Sequence, residues 1–345
     1  MDFPEHYDGK KILVTGGGGS IGTNLVRALN QAGAKLVIIL DDFSAAYDWN
    51  IPSLPGVMVV RGSVADEIAL KRVFNEKLDF VFHLAAFFAN QNSVDYPERD
   101  LMVNGKGTLN LLEYSRLSGV PRFIYASSGC SIYGHEAPLP LREEYQSMHL
   151  TTPYQITKML GELYANFFSH HYDMKIVKTR FFNSYGPGEV PGQYRNVIPN
   201  FIYWAMLGRP LQITGNPDAT RDFCYVDDLV NGLLRAGISE AAVGEAINLA
   251  SEREIRIGTL AEMVNAATGN KAGVEIVAKR KWDTKNRLLA SVDKARELLG
   301  YEPSMRFEDG LDRTVQWFRE NWDHIRQCAS FGPGMSSAVR SVVGK

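Results

Sequence analysis

The stretch Lys11-Ile12-Leu13-Val14-Thr15-Gly16-Gly17-Gly18-Gly19-Ser20-Ile21-Gly22 decides the fold. A short β-forming run ends in glycines, and apolar residues then recur at helical spacing in Ile21, Leu25, Val26 and Leu29 until Gly33 stops the helix. Gly16, Gly19 and Gly22 fit the pattern G-x-x-G-x-x-G. A turn this tight needs backbone angles that side chains resist, and it leaves bare backbone open to a ligand. The helix N-terminus beyond it offers unpaired N–H groups and a positive dipole end, which suit a pyrophosphate. Glycines alone make only a flexible turn. Between a strand and a helix they stand where a dinucleotide needs them, with Ser20 and Ile21 completing the turn.

A second signal follows at the spacing that such a site requires. Leu36 to Leu40 form an almost wholly apolar strand, of the kind buried on both faces of a parallel sheet, and Asp41 and Asp42 close it. A carboxylate there accepts hydrogen bonds from the adenosine ribose hydroxyls and repels the extra phosphate of NADP, so NAD is the expected cofactor. Further strands are predicted at Val57–Val60, Phe80–Leu84, Phe123–Ala126 and Lys175–Arg180, with helices over Ala65–Asn75, Asn104–Ser118 and Tyr154–His170. Alternating β and α units imply a doubly wound parallel sheet with helices on both faces. After about residue 181 proline and glycine become dense, as in Gly186-Pro187-Gly188 and Gly208-Arg209-Pro210. That change predicts a cofactor-binding domain over 1–180, with a return segment around 221–250, and a smaller α/β substrate-binding region over 181–330. The tail from 331 to 345 is small, polar and glycine-rich, and is expected to be mobile.

Composition narrows the partners. The formal net charge of −2 gives no reason to propose nucleic acid. No apolar run reaches the length of a membrane span, and the first ten residues are polar. Cys130, Cys224 and Cys328 are far apart and show neither disulfide nor metal-ligand spacing, so no metal is expected and a cytoplasmic location is.

Tyr154-Gln155-Ile156-Thr157-Lys158 places a phenol and an ammonium on one helix face. Tyrosine is a weak base at neutral pH, and a neighbouring positive charge favours the phenolate. With Lys158 beside it, Tyr154 is able to take a hydroxyl proton while hydride leaves the same carbon. Tyr-x-x-x-Lys is common on helix surfaces, but here Phe123-Ile124-Tyr125-Ala126 ends upstream in Ser127-Ser128. A serine at the C-terminal end of a parallel strand faces the ligand crevice.

Serine, tyrosine and lysine in this order, behind a dinucleotide turn, resemble the extended short-chain dehydrogenase/reductases, and within them the nucleotide-sugar epimerases and dehydratases. The resemblance covers about residues 10 to 320. It includes His83-Leu84-Ala85-Ala86, Asn104-Gly105, Arg180-Phe181-Phe182-Asn183-Ser184-Tyr185-Gly186-Pro187, Arg221-Asp222-Phe223 and Leu298-Leu299-Gly300-Tyr301. It implies a Rossmann fold, catalytic Ser128, Tyr154 and Lys158, and cofactor contacts at Leu84, Ala85, Ala86 and Asn104. Ser63 and Val64 stand where the family usually has an aspartate before an apolar residue, which weakens the expected adenine contact. The resemblance assigns Asn183 and Arg221 to a substrate diphosphate, although a salt bridge between Arg221 and a nearby carboxylate such as Asp222 is the alternative. Val197, Arg280 and Asp283 are further implied substrate contacts. A solvated charged loop competes with the last two.

The turn Ser128-Gly129-Cys130-Ser131-Ile132 separates the chemistries. The 4,6-dehydratases have Thr-Asp-Glu there, and UDP-glucuronate decarboxylases a glutamate, whereas this chain has no carboxylate. A nucleotide-sugar 4-epimerase, similar to the UDP-galactose 4-epimerases, needs only Ser128, Tyr154, Lys158 and NAD. Cys130 also resembles the acid–base cysteine of 3,5-epimerases and of a 4-keto-sugar reductase, and it is either catalytic or a small wall residue. The family resemblance further implies a homodimer formed through the helices Asn104–Ser118 and Tyr154–His170.

Overall fold

The computed structural model describes residues 3–331 apart from 282 and 284, so the tail beyond residue 331 lies outside the described residues. Among the described residues, twelve strands occur in chain order: β1 (Lys11–Thr15), β2 (Leu36–Asp41), β3 (Val57–Arg61), β4 (Phe80–His83), β5 (Arg122–Ser128), β6 (Ile176–Phe181), β7 (Asn183–Tyr185), β8 (Leu211–Thr214), β9 (Thr220–Tyr225), β10 (Ala246–Leu249), β11 (Glu254–Arg256) and β12 (Val274–Val277). Seven form one sheet in the order β10-β6-β5-β4-β1-β2-β3, and every pairing in it is parallel. The chain winds outward from β1 to β3, then returns past β1 to β4 and winds the other way. The reversal between β1 and β4 opens a crevice at the carboxyl ends of the strands.

The apolar runs of the central strands follow from burial on both faces. Ile12 and Val14 join Ile39, Phe82 and Val177 in one core, while Leu13 joins Ile38, Val81 and Phe123 in the other. Alternate residues of a strand point to opposite faces, so a strand covered by helices on both sides must be apolar throughout. β7, β9 and β11 make a second sheet, and β8 pairs with β12 in a third, smaller one. Residues of both smaller sheets line the same cavity as the carboxyl ends of β5 and β6.

The helix predicted over Tyr154–His170 runs from Pro153 to Tyr172. Its start is set by a capping box: the Gln155 N–H donates to Thr152 Oγ1, and the Thr152 N–H donates to Gln155 Oε1. Thr-Pro-x-Gln is legible in the sequence and places Tyr154 in the first turn. The helix expected from Asn104 is longer at its N-terminal side. Pro97–Asp100 continues through a widened π-helical turn, Leu101–Lys106, into Gly107–Leu117. Among the described residues, no helix is long and apolar enough to cross a membrane. Cys130, Cys224 and Cys328 are free thiols.

The helix Pro153–Tyr172 lies on β5 through Gly161. A Cβ there would overlap the Tyr125 phenol, whose hydroxyl donates to the Lys158 carbonyl at 3.2 Å. Gly161→Ala is therefore expected to push this helix off the sheet and to destabilise the protein by about 1–3 kcal/mol, the usual range for overpacking. Urea unfolding measures it, and a loss within error of zero would show that the helix shifts freely.

Candidate active site

One cavity runs along the carboxyl ends of the parallel strands and beneath the smaller sheets. At its dinucleotide end, Gly16 has φ of 67°, and a Cβ on it would stand 2.7 Å from the Ala85 backbone nitrogen. A Cβ on Gly22 would strike the Gly16 carbonyl. These glycines let strand, turn and helix close on one another, and Gly16, Gly19, Ser20, Ile21 and Gly22 all line the cavity. Asp41 reaches under the turn, where its Oδ2 accepts from the Gly18 N–H at 2.9 Å and its Oδ1 from the Phe43 N–H at 2.9 Å. Burial raises the Asp41 carboxyl above its ordinary range, and those hydrogen bonds oppose the shift. Asp42 is exposed and accepts from the Ser44 N–H. Ser63, Val64, Leu84, Ala85 and Ala86 complete this wall.

Two polar side chains at this end, Asn104 and His83, lie behind the wall. Asn104 does not line the cavity; it is 2% exposed, and its amide is consumed behind the wall. Its Oδ1 accepts from the Phe87 N–H at 2.8 Å, while its Nδ2 donates to Asp100 Oδ1 at 2.7 Å. It braces the loop after β4 from behind. His83 likewise sits inside the sheet. Thr108 donates to the Asn104 carbonyl, so it accepts from His83 Nε2, which leaves Nδ1 to accept from Thr15. Burial, reinforced by the Lys158 charge, holds His83 down to about 3, so it is neutral.

Ser128, Cys130, Tyr154 and Lys158 meet midway along the cavity. Ser128 ends β5 and donates to Ser131 Oγ at 3.0 Å. Lys158 donates to the Ala126 carbonyl at 2.8 Å, and its Nζ stands 5.7 Å from the centre of the Tyr154 ring. Burial lowers the Lys158 ammonium to about 8, against the charges of Asp100 and Glu162, which favour protonation. The sequence led to the expectation that Lys158 would ease Tyr154 towards its phenolate. In the chain by itself burial dominates instead: it raises the phenol, Asp100 and Cys130 add to the rise, and contact with Ser128 opposes it. Burial also pushes the Cys130 thiol up to about 12, with Lys285 and Arg221 pulling the other way.

Behind these residues lies a polar network that sequence reasoning missed. Glu162, one helical turn beyond Lys158, accepts from Arg180 Nε at 3.0 Å and Nη2 at 2.8 Å, and from Ser127 Oγ at 2.5 Å. Arg180 Nη1 donates to the Tyr133 hydroxyl, which donates onward to Asn248 on β10. Arg180 is fully buried and Glu162 nearly so. The spacing of Glu162 from Lys158 was the available signal, but its partner lies on a different strand.

At the far end of the cavity, Asn183, Val197, Arg221, Arg280 and Asp283 all line the wall. Arg221 does not pair with Asp222. The Asp222 carboxylate is buried, accepting from the backbone N–H groups of Ser251, Glu252 and Ala290 and from the Ser251 hydroxyl. Arg221 meets Asp283 instead, at 3.2 Å. Lys285, also absent from the sequence reading, lines the same wall and donates to the Cys130 carbonyl at 2.9 Å.

The sheet order and the glycine turn define a Rossmann-fold protein of the extended short-chain dehydrogenase/reductase class. The chain belongs to the NAD dependent epimerase/dehydratase family, whose model matches residues 12–250, and NAD is its cofactor. It is 55% identical to a solved epimerase from Methanothermobacter thermautotrophicus, with a TM-score of 0.94 and 96% and 98% of the two chains covered. A UDP-glucose 4-epimerase from Thermotoga maritima, solved with UDP-glucose, is 33% identical with a TM-score of 0.86, covering 90% of this chain and 99% of that one. A UDP-N-acetyl-alpha-D-glucosaminuronate decarboxylase from Bacillus cytotoxicus is 30% identical over 90% of this chain and 98% of its own.

Glu162→Gln would remove the negative partner from a buried guanidinium. A loss of about 3–5 kcal/mol is expected, as when one member of a buried pair is deleted. Chemical denaturation measures it, and a loss of under roughly 1 kcal/mol would show the pair to be dispensable.

Proposed function

We propose that the protein is an NAD-dependent epimerase of nucleotide-diphosphate sugars, acting at C4 through a transient 4-keto sugar. One observation carries this reading. Ser128, Tyr154 and Lys158 converge on one point of the cavity, while the turn beside them, Gly129 to Ile132, brings no carboxylate to it. Water elimination and decarboxylation in relatives of this family rely on an acidic residue there, whereas epimerisation at C4 does not.

The residues fit the cofactor. Gly16 and Gly22 leave room for a pyrophosphate at the helix N-terminus, and Asp41 offers a carboxylate to the ribose. A bound NAD would supply the hydride acceptor and donor that transient oxidation at C4 requires. The protein supplies the rest. Tyr154 takes the C4 hydroxyl proton and gives it back, and Ser128 holds the same oxygen by hydrogen bonding. Lys158, fixed by the Ala126 carbonyl, supplies the positive charge that stabilises the phenolate. That role requires Lys158 to be protonated, which the carboxylates of Asp100 and Glu162 favour. Arg221, with Asn183 and Arg280, takes the diphosphate. Epimerisation at C4 by this route gives Cys130 no proton to move, so it serves as wall.

A panel of UDP-, GDP-, CDP- and dTDP-sugars, incubated in deuterated water and followed by NMR, tests this. A pair of C4 epimers is expected, without added cofactor and with no deuterium at C3 or C5. Label at those carbons, or a stoichiometric requirement for NADH, would reject it. Tyr154→Phe should lower turnover by roughly 10²–10⁴-fold, and Cys130→Ala should leave it unchanged.

We also propose a homodimer. Ile156, Leu163 and Phe167 share one face of the helix Pro153–Tyr172 and are 53%, 53% and 48% exposed, beside Leu101 and Met102 on the neighbouring helix at 53% and 42%. A contiguous apolar face of this kind marks an interface. Leu163→Glu with Phe167→Glu should convert the protein to monomers in sedimentation experiments, and a wild-type protein that already sediments as a monomer would rule the dimer out.

A further inference from the structure

Lys285 is a half-buried ammonium in the cavity wall that the mechanism above does not use. Its Nζ donates to the Cys130 carbonyl at 2.9 Å. Among the described residues, that is its only hydrogen-bond partner, and none offers it an ion pair within 4.0 Å. The nearest carboxylate that acts on it, Asp283, is already held by Arg221 at 3.2 Å. A lysine ammonium has three protons to donate, so most of its capacity is open. Burial lowers it to about 8, with Cys130 opposing, Arg221 lowering it further and Asp283 opposing. A charge taken out of water without a counter-ion is unfavourable, and in a ligand cavity the ligand itself is the group that can complete it.

Its place along the cavity says which part of a ligand that is. Arg221 and Arg280 stand ready for the diphosphate. Lys285 is tied instead to Cys130, whose thiol acts directly on Tyr154, and Cys130 is two residues beyond Ser128. The ammonium therefore belongs to the hexose end, beside the reacting carbon. A neutral hexose hydroxyl would satisfy one donor and leave the charge uncompensated. A carboxylate would satisfy both the charge and the donors, through charge-assisted hydrogen bonds.

We propose that Lys285 forms an anion subsite for the hexose, and that the substrate is a nucleotide-diphosphate sugar carrying a carboxylate on its hexose, of the uronic acid type. The proposal rests on the nucleotide-sugar reading above and narrows it.

Calorimetric titration of the NAD-loaded protein tests it, using UDP-glucuronate against UDP-glucose and GDP-mannuronate against GDP-mannose, with UDP and GDP alone as references. Wild type is expected to bind the acidic member of one pair roughly tenfold or more tighter than the neutral one. Lys285→Met should abolish that difference while leaving affinity for the neutral sugar and the bare nucleotide as in wild type, and Lys285→Arg should keep most of it. Wild-type binding of nucleotide sugars without preference for the acid overturns the proposal. So does a Lys285→Met loss of equal size for the acid, the neutral sugar and the bare nucleotide, which would make Lys285 a diphosphate contact. If wild type binds no nucleotide and no nucleotide sugar, the broader reading falls and this one with it. A circular dichroism spectrum and melting temperature like those of wild type would show that Lys285→Met is folded, and Lys285→Arg supplies the charge-retaining comparison.

Discussion

The bidentate pair between Arg180 and Glu162 is the constraint on which the centre of the molecule depends. Arg180 comes from the end of β6, Glu162 from the helix that carries Tyr154 and Lys158, and Ser127 joins them from β5. Two charges removed from water gain little net stability from one another. What they give here is position. The guanidinium has a planar fork and the carboxylate two oxygens, so only one relative placement of helix and strand satisfies both. Ser128 follows Ser127 directly, and Lys158 and Tyr154 precede Glu162 by one and about two turns of the same helix. The chain onward through Tyr133 to Asn248 ties the same point to β10, at the edge of the sheet.

A second consequence is electrostatic. The cavity is built with charge unequally shared along its length. At the dinucleotide end stands the carboxylate of Asp41, at the middle the ammonium of Lys158 with that of Lys285 on the Cys130 carbonyl, and at the far end the cations Arg221 and Arg280 against Asp283. This gradient matches a cofactor recognised at its ribose and a substrate recognised by its negative charge. The overall charge of −2 gives no hint of it, since binding here depends on local donors in a low-dielectric wall rather than on the field of the whole protein.

Much of the site was legible because its parts are local. The glycine turn, the Asp41 strand end, the Tyr154–Lys158 spacing and Ser128 at a strand terminus each lie within a few residues of the element that positions them. The partners of Asn104 were not legible, because a sequence does not show which way a side chain turns; its amide bonds to the loop after β4 and to Asp100. The carboxylate that meets Arg221 was not legible for a related reason. Asp222 is its neighbour in sequence, but successive residues of a strand point to opposite sides, and the true partner is Asp283, 62 residues away.

The sequence by itself determined the alternation of strands and helices, the dinucleotide turn, the preference for NAD and the choice of Ser128, Tyr154 and Lys158 as the residues proposed for the reaction. Hydrophobic period, glycine and helix spacing are short-range properties, so they can be read from a dozen residues at a time. Tertiary structure alone decided that Glu162 meets Arg180, that Asn104 braces the wall from behind, and that Lys285 reaches Cys130 across 155 positions of chain. Those contacts depend on how separate segments pack. Whether a charge ends in water, against an opposite charge or alone in a cavity is settled only when the packing is complete.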